Sequence, residues 1–276
     1  MVLDSTRDIE DLEIDLLLEA VFQRHGLDFR GWLREPLRRK LHGFMQAAGL
    51  DTVSAVQERL LHDPRAAAQL LRTLSRSSGA LFGDVQHFQG LRGALVPWLR
   101  SRPAPRLWVA ECSAADVFAL AILLQEEDLY ERTQIFATHA NEDLLAEAAA
   151  AGMDVARLDE FERNYRACGG RRALREYLAE RDGAPIFAPQ LQANIVWAQY
   201  NLATDASFNE FELIMCRDTL AEFGNALKRR TLQLFHDSLP HFGLLSANGI
   251  DHPEADTSIA GYTSLDRDSG LFRRVA

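Results

Sequence analysis

Three side chains in this sequence stand where an α/β fold usually does its chemistry. Glu111 lies in the turn Ala110-Glu111-Cys112-Ser113-Ala114-Ala115-Asp116, between the apolar run LWV and the longer run VFALAILL. His139 closes the run QIFATH, and Asp218 follows LIMCR. Open sheets of this type bind ligands beyond the carboxyl ends of their strands, so all three residues are expected near one crevice. The first such turn is normally glycine-rich, because a residue without Cβ lets backbone N–H groups reach a ligand. This turn has no glycine, and Glu111 places an anion beside it. His139 can offer one hydrogen bond from one ring nitrogen. Metal chemistry is not expected, because the eight histidines show no ligand spacing beside cysteines or carboxylates. Cys112, Cys168 and Cys216 are far apart and odd in number, which fits reduced, buried thiols.

The elements that must position these residues come in two styles. From residue 8 to 100 the chain reads as successive helices. DIEDLEIDLLLEAVFQRHG has apolar residues at Ile9, Leu12, Leu16 and Ala20, a helical spacing, with Gly26 as the stop. Pro36 and Pro64 mark helix starts, Asp63 a cap and Gly49 a stop, and another helix is expected near 85–100. After the connector SRPAP the period changes. RLWVAE, TQIFAT, NIVWAQY, FELIMC and FGLLSA read as buried strands alternating with helices, the pattern of a doubly wound, mostly parallel sheet. The weakly periodic segment 155–192, with ACGG and RDGAP, reads as an insertion.

Composition narrows the function classes. Hydrophobic residues make up 47% and charged residues 25%, a balance that builds a core. Forty acidic against thirty basic residues give a formal charge of -10, which argues against nucleic-acid binding. No apolar run nears the ~20 residues of a membrane span, and the acidic N-terminus is no signal peptide. A cytoplasmic location is expected. The stripe Arg34, Arg38, Arg39 and Lys40 is locally basic on this acidic chain. It reads either as a solvated helix face or as a partner surface.

Taken together, GLDFRGWLREPLRRKL, WVAECS, IFATHANEDLL, WAQYNLATDASFNEFELIMCRD and the terminal GLFRRV resemble, in order and spacing, the CheR family. These are S-adenosylmethionine-dependent methyltransferases that esterify glutamates on bacterial chemoreceptors. The resemblance covers nearly the whole chain. It implies a helical domain over 1–100, a linker at 101–105, and a Rossmann-like class I methyltransferase domain over 106–276 with a small β-subdomain inserted at about 155–192. It also implies that the basic helix meets a protein partner of the chemoreceptor or signalling-kinase type.

The departures from the family pattern fall on the cofactor motifs. The family turn, roughly A-G-C-S-T-G-E-E-x-Y-S, has lost both glycines and its first acidic residue here. Glu111 and Ala115 stand in the altered turn, and Phe118 replaces the tyrosine. His139 stands where the family has an aspartate that accepts hydrogen bonds from both ribose hydroxyls. In the loop SSGALFGD the family's asparagine, threonine and arginine fall on Ser77, Gly79 and Gly83, which leaves no family catalytic residue in place. Asn201, Leu202, Cys216 and Arg217 match the family, whereas Asp218 replaces an asparagine. Each position also has a plain structural reading: core for Phe118, a surface strand end for His139, and turn-shaping for Asn201 and Leu202. The pattern predicts an intact fold and weak or absent binding of S-adenosylmethionine and S-adenosylhomocysteine. A binding or regulatory role in chemosensory-type signalling follows. The alternative is an active protein-glutamate O-methyltransferase with a rebuilt cofactor site.

Overall fold

The computed structural model describes residues 5–76, 79–250, 261–266 and 269–276. The chain divides into two compact units, one of residues 1–76 with 222–228, the other of 77–221 with 229–276.

The first unit is built on four helices: α1 (Ser5–His25), α2 (Arg34–Ala48), α3 (Val53–His62) and α4 (Pro64–Ser75). Their ends are set by local chemistry. Asp63 accepts hydrogen bonds from the Arg65 and Ala66 amides, with Pro64 in the first turn of α4. Thr52 caps α3 through the Ala55 amide. Gly49 ends α2 at φ 66°, where any Cβ would be strained. The core of this unit gathers Leu17, Leu37, Leu41, Val56, Leu70 and Leu74. The helix expected from the spacing on α1 is present. Ile14, Leu17, Leu18 and Val21 are buried, whereas Ile9, Leu12 and Leu16 are exposed. The helix carries apolar residues around most of its circumference, so its spacing admits two faces, and packing against α3 selects the one centred on Leu17 and Leu18.

The second unit begins with α5 (Val85–Arg100), which the boundary expected at 101–105 had assigned to the helical domain. The structure places α5 with the sheet: Leu91, Leu95 and Leu99 share a core with Leu107, Val117 and Leu120. A helical period shows that a helix has an apolar face, not which neighbour covers it. There follow β1 (Arg106–Ala110), α6 (Ala114–Glu126), β2 (Gln134–His139), α7 (Glu142–Ala149) and α8 (Leu158–Ala167). The hairpin β3 (Leu178–Arg181) and β4 (Ala184–Phe187) leads to β5 (Ile195–Gln199) and β6 (Leu213–Cys216). Then come the short α9 (Thr219–Glu222), α10 (Asn225–Asp237), β7 (Leu244–Ala247), β8 (Tyr262–Asp266) and β9 (Leu271–Arg274).

The main sheet has the order β5-β2-β1-β6-β7-β9-β8. The first five strands run parallel, and β9 and β8 close the edge antiparallel. This is the Rossmann-like class I methyltransferase arrangement, with β1 at the centre of the five parallel strands. Trp108 of β1 is fully buried and donates from Nε1 to Thr138 Oγ1 at 2.8 Å. The segment read as an insertion supplies α8 and the β3–β4 hairpin. Its turn uses Asp182 and Gly183 at φ 55° and 77°, the pair of positive values that a two-residue hairpin turn needs. Phe187 of β4 stacks on Phe118 of α6, ring centroids 4.0 Å apart, which fastens the hairpin to the sheet layer. No helix among the described residues is long and apolar enough to cross a membrane.

Candidate cofactor crevice

The strands β1, β2 and β6 end side by side and bring the altered residues together. Strand β1 ends at Ala110 because Glu111 adopts φ 49°, a left-handed bend uncommon for a residue with a Cβ. After it the Cys112 amide rejoins β2 through the Thr138 carbonyl at 2.9 Å. The bend turns the Glu111 side chain across the end of β2. Its Oε1 accepts the Ala140 amide at 3.3 Å, and its Oε2 lies 3.6 Å from His139 Nδ1. His139 is 2% exposed, so the reading of a surface residue at a strand end does not hold. Its Nδ1 accepts the Asn141 amide at 2.9 Å. A nitrogen that accepts is unprotonated, so the neutral ring carries its proton on Nε2. Asn141 in turn caps α7 through the Leu144 amide. Burial pushes the Glu111 carboxyl from its ordinary value up to about 8, the Ala140 amide opposing this only in part.

The turn into α6 is held by its own side chains. Ser113 Oγ accepts the Asp116 amide at 3.2 Å and donates to Asp116 Oδ2 at 2.7 Å. Burial raises the Asp116 carboxyl, opposed by its bond to Ser113 and by the nearby Arg217. Ala115 sits in the first turn of α6, partly buried. Cys112 and Cys216 are buried, and their thiols are pushed up by burial and by Glu111, which leaves them protonated and unreactive. No group of histidines, cysteines and carboxylates able to hold a metal ion occurs among the described residues.

The residues kept from the family each have a structural task. Asn201 Oδ1 accepts the Ala203 amide at 2.9 Å, and its own amide donates to Asp205 Oδ2 at 2.9 Å, a side-chain-built turn. Leu202 is 2% exposed and belongs to the core. Arg217 is ion-paired with Asp84 at 2.6 Å, and Asp84 Oδ1 caps α5 through the His87 amide at 3.0 Å. Asp218 Oδ1 accepts a long hydrogen bond from Asn248 Nδ2 at 3.4 Å. Asp84, Asp116 and His87 were missed in the sequence, although the first two carry a readable signal. Asp84 stands just before a helix, and Ser113-x-x-Asp116 has the spacing of a capping box.

The substituted loop lies against this turn. A Cβ on Gly79 would come 3.6 Å from Ser113 Oγ. A Cβ on Gly83 would come 2.9 Å from Ala80 Cβ and 3.0 Å from the Ala80 carbonyl oxygen, because the Gly83 amide closes a tight turn on that carbonyl. An arginine there requires the loop to move. Ser77 lies outside the described residues. Phe118, fully buried on Phe187, is core. Outside the crevice, the basic stripe is not a free solvated face: Arg34 pairs with Asp15, Arg38 with Glu10, Asp11 and Glu35, and Lys40 with Glu222 and the Leu74 carbonyl. Arg39 is exposed.

A Pseudomonas putida protein named "Putative methyltransferase Cher3" is 38% identical over 266 residues, covering 96% of this chain and 97% of its own length. A "Chemotaxis protein methyltransferase" of Listeria innocua is 24% identical over 248 residues, covering 88% of this chain and 92% of its own. Among solved structures, the N-methyltransferase NodS of Bradyrhizobium japonicum with S-adenosyl-L-homocysteine covers 80% of this chain and 97% of its own at 12% identity and a TM-score of 0.39. The profile of the CheR methyltransferase all-alpha domain matches residues 12–75, and that of the CheR methyltransferase SAM binding domain matches 78–250. With both domains present in order, the chain belongs to the CheR methyltransferase family.

Proposed function

We propose that this protein keeps the family's fold but not a working cofactor site, and that it acts as a binding or regulatory module in bacterial chemosensory-type signalling. The observation that carries this reading is the Glu111–His139 arrangement. The Glu111 side chain lies over the end of β2 and takes the Ala140 amide, while His139 turns a ring nitrogen back to its own backbone. A ribose at this strand end finds no aspartate to accept both hydroxyls. Losing charge-assisted hydrogen bonds costs about 1.5–3 kcal/mol each. The residues present therefore do not fit S-adenosylmethionine. The retained Asn201, Leu202 and Arg217 do not count against this, since the fold alone accounts for them. The relatives named chemotaxis methyltransferases support a protein partner of the chemoreceptor or signalling-kinase type.

The test is methyl transfer. Purified protein is incubated with methyl-labelled S-adenosylmethionine and a chemoreceptor cytoplasmic fragment bearing its acceptor glutamates. The expected result is co-sedimentation with the fragment and no base-labile methyl ester. Ester formation above the protein-free background overturns the proposal.

One observation favours the second reading, an active enzyme with a rebuilt site. A carboxylate is still present at this crevice, on β1 rather than β2. If Glu111 serves the cofactor, Glu111→Gln abolishes ester formation that the wild type shows.

A further inference from the structure

The Glu111 carboxyl is buried without the partners that a buried charge needs. Its side chain is 9% exposed. Among the described residues it accepts a single hydrogen bond, from the Ala140 amide at a long 3.3 Å. Its other oxygen lies 3.6 Å from His139 Nδ1, which is itself an acceptor for the Asn141 amide. A protonated carboxyl fits such a place, whereas a carboxylate there goes uncompensated.

The ionisable groups around it supply no compensating cation. Asp116 in the first turn of α6 and Asp218 after β6 add negative charge to the same strand ends. The thiols of Cys112 and Cys216 are buried and protonated. Arg217 gives Nη2 to Asp84 at 2.6 Å and acts on Asp116 rather than on Glu111. His139 gains a proton on Nδ1 only by surrendering the Asn141 amide. The backbone is poised as well. Glu111 holds φ 49°, a left-handed bend that is costly for a residue with a Cβ, and the Cys112 amide just after it is tied to the Thr138 carbonyl. Moving the side chain out to water relieves the bend and the buried charge together.

We propose that Glu111 is a titrating plug of the strand-end crevice: when neutral it lies closed over the end of β2, and when ionised it swings to water, frees the Ala140 amide and opens the turn so that Cys112 is reached from solvent. The carboxyl gives one proton to water, and no bond between heavy atoms changes. The proposal rests on the reading that the Glu111 side chain fills this strand end in place of a cofactor, and it adds a regulation of that site by pH. Burial sets the range, since it lifts the carboxyl to about 8, with the closed form below and the open form above.

The test is alkylation of the full chain by iodoacetamide between about pH 6.5 and about pH 9.5, without cofactor, each cysteine being quantified by peptide mass spectrometry. Cys168, buried away from the crevice, is the internal reference, because global unfolding and a rising thiolate fraction act on it as well. Charge alone gives the opposite sign, since an ionised Glu111 in a closed turn holds the Cys112 thiol protonated. The expected result is a rise of at least tenfold in the ratio of Cys112 to Cys168 alkylation, with a midpoint near 8. Exchange of the Ala140 and Cys112 amides, corrected for base catalysis, is expected to speed up over the same range. Glu111→Gln, similar in shape and without the charge, is expected to keep the ratio flat and both amides protected. A flat ratio in the wild type, or the same rise in Glu111→Gln, overturns the proposal. A flat ratio without ester formation in the methyl-transfer assay sinks the plug alone, whereas ester formation sinks the reading on which it rests.

Discussion

Glu111 and His87 sit in one sheet unit and respond to pH in opposite directions. Burial raises the Glu111 carboxyl from 4.5 to about 8, so between these values the native protein holds a proton that the unfolded chain has released. Its contribution is fully present below about 4.5 and is lost as pH rises toward 8. Burial, with Arg217 adding to it, lowers the His87 imidazole from 6.5 to about 4. The unfolded chain then binds a proton that the native state refuses, and stability is lost as pH falls from 6.5 through 4. Glu111→Gln is expected to flatten only the alkaline side. At pH 8 it stabilises the protein by about 2–4 kcal/mol, with little change near pH 5. Urea unfolding at the two pH values checks this, and an equal change at both denies the buried carboxyl its role. At position 118, Phe118→Tyr restores the family's hydroxyl inside a stacked, fully buried pair, and is expected to cost about 1–3 kcal/mol for an unpartnered polar group. An unchanged unfolding midpoint contradicts that placement.

At the scale of elements, the α1–α2 pair shows what a helical wheel cannot decide. Apolar residues at two registers on α1 are visible in the sequence, and the one that packs holds Ile14, Leu17, Leu18 and Val21, while Ile9, Leu12 and Leu16 are exposed. Likewise the run Arg34, Arg38, Arg39, Lys40 was legible as positive charge. That α1 supplies Glu10, Asp11 and Asp15 to neutralise it depends on a tertiary contact that no local pattern encodes. Charge reversal is expected to act differently at 38 and at 39. Arg38 is 12% exposed among three partly or well exposed carboxylates, so Arg38→Glu is expected to destabilise by about 1–3 kcal/mol. Arg39→Glu, on the exposed side, is expected to stay within about 0.5 kcal/mol. Thermal melts of the two single variants separate them, and equal melts refute the pairing. The strands β8 and β9 were missed as elements, because TSLD and LFRR are short and have no clean alternation of their own. The parallel strands were read correctly to within one or two residues, because long apolar runs buried on both faces are unambiguous beside turn residues.

For the whole molecule, sequence reading found the order of the parallel strands and the helices between them. Strand ends carry functional side chains by topology, and Glu111, His139 and Asp218 follow three such ends. The meaning of those side chains was not legible. Whether His139 faces a ligand or its own backbone depends on a bond from the Asn141 amide, and whether Arg217 is free depends on Asp84, 133 residues away. The boundary between units was also misplaced, since the Pro-rich 101–105 segment punctuates the chain without dividing its cores. On the proposal above, the family fold persists around a strand-end turn that no longer accommodates the cofactor. Calorimetric titration with S-adenosylhomocysteine tests it most directly, on the wild type and on Glu111→Gly with His139→Asp. The expected outcome is no measurable heat of binding for the wild type and a gain of at least tenfold in affinity for the double variant. Low-micromolar binding by the wild type, lost in the double variant, would contradict it.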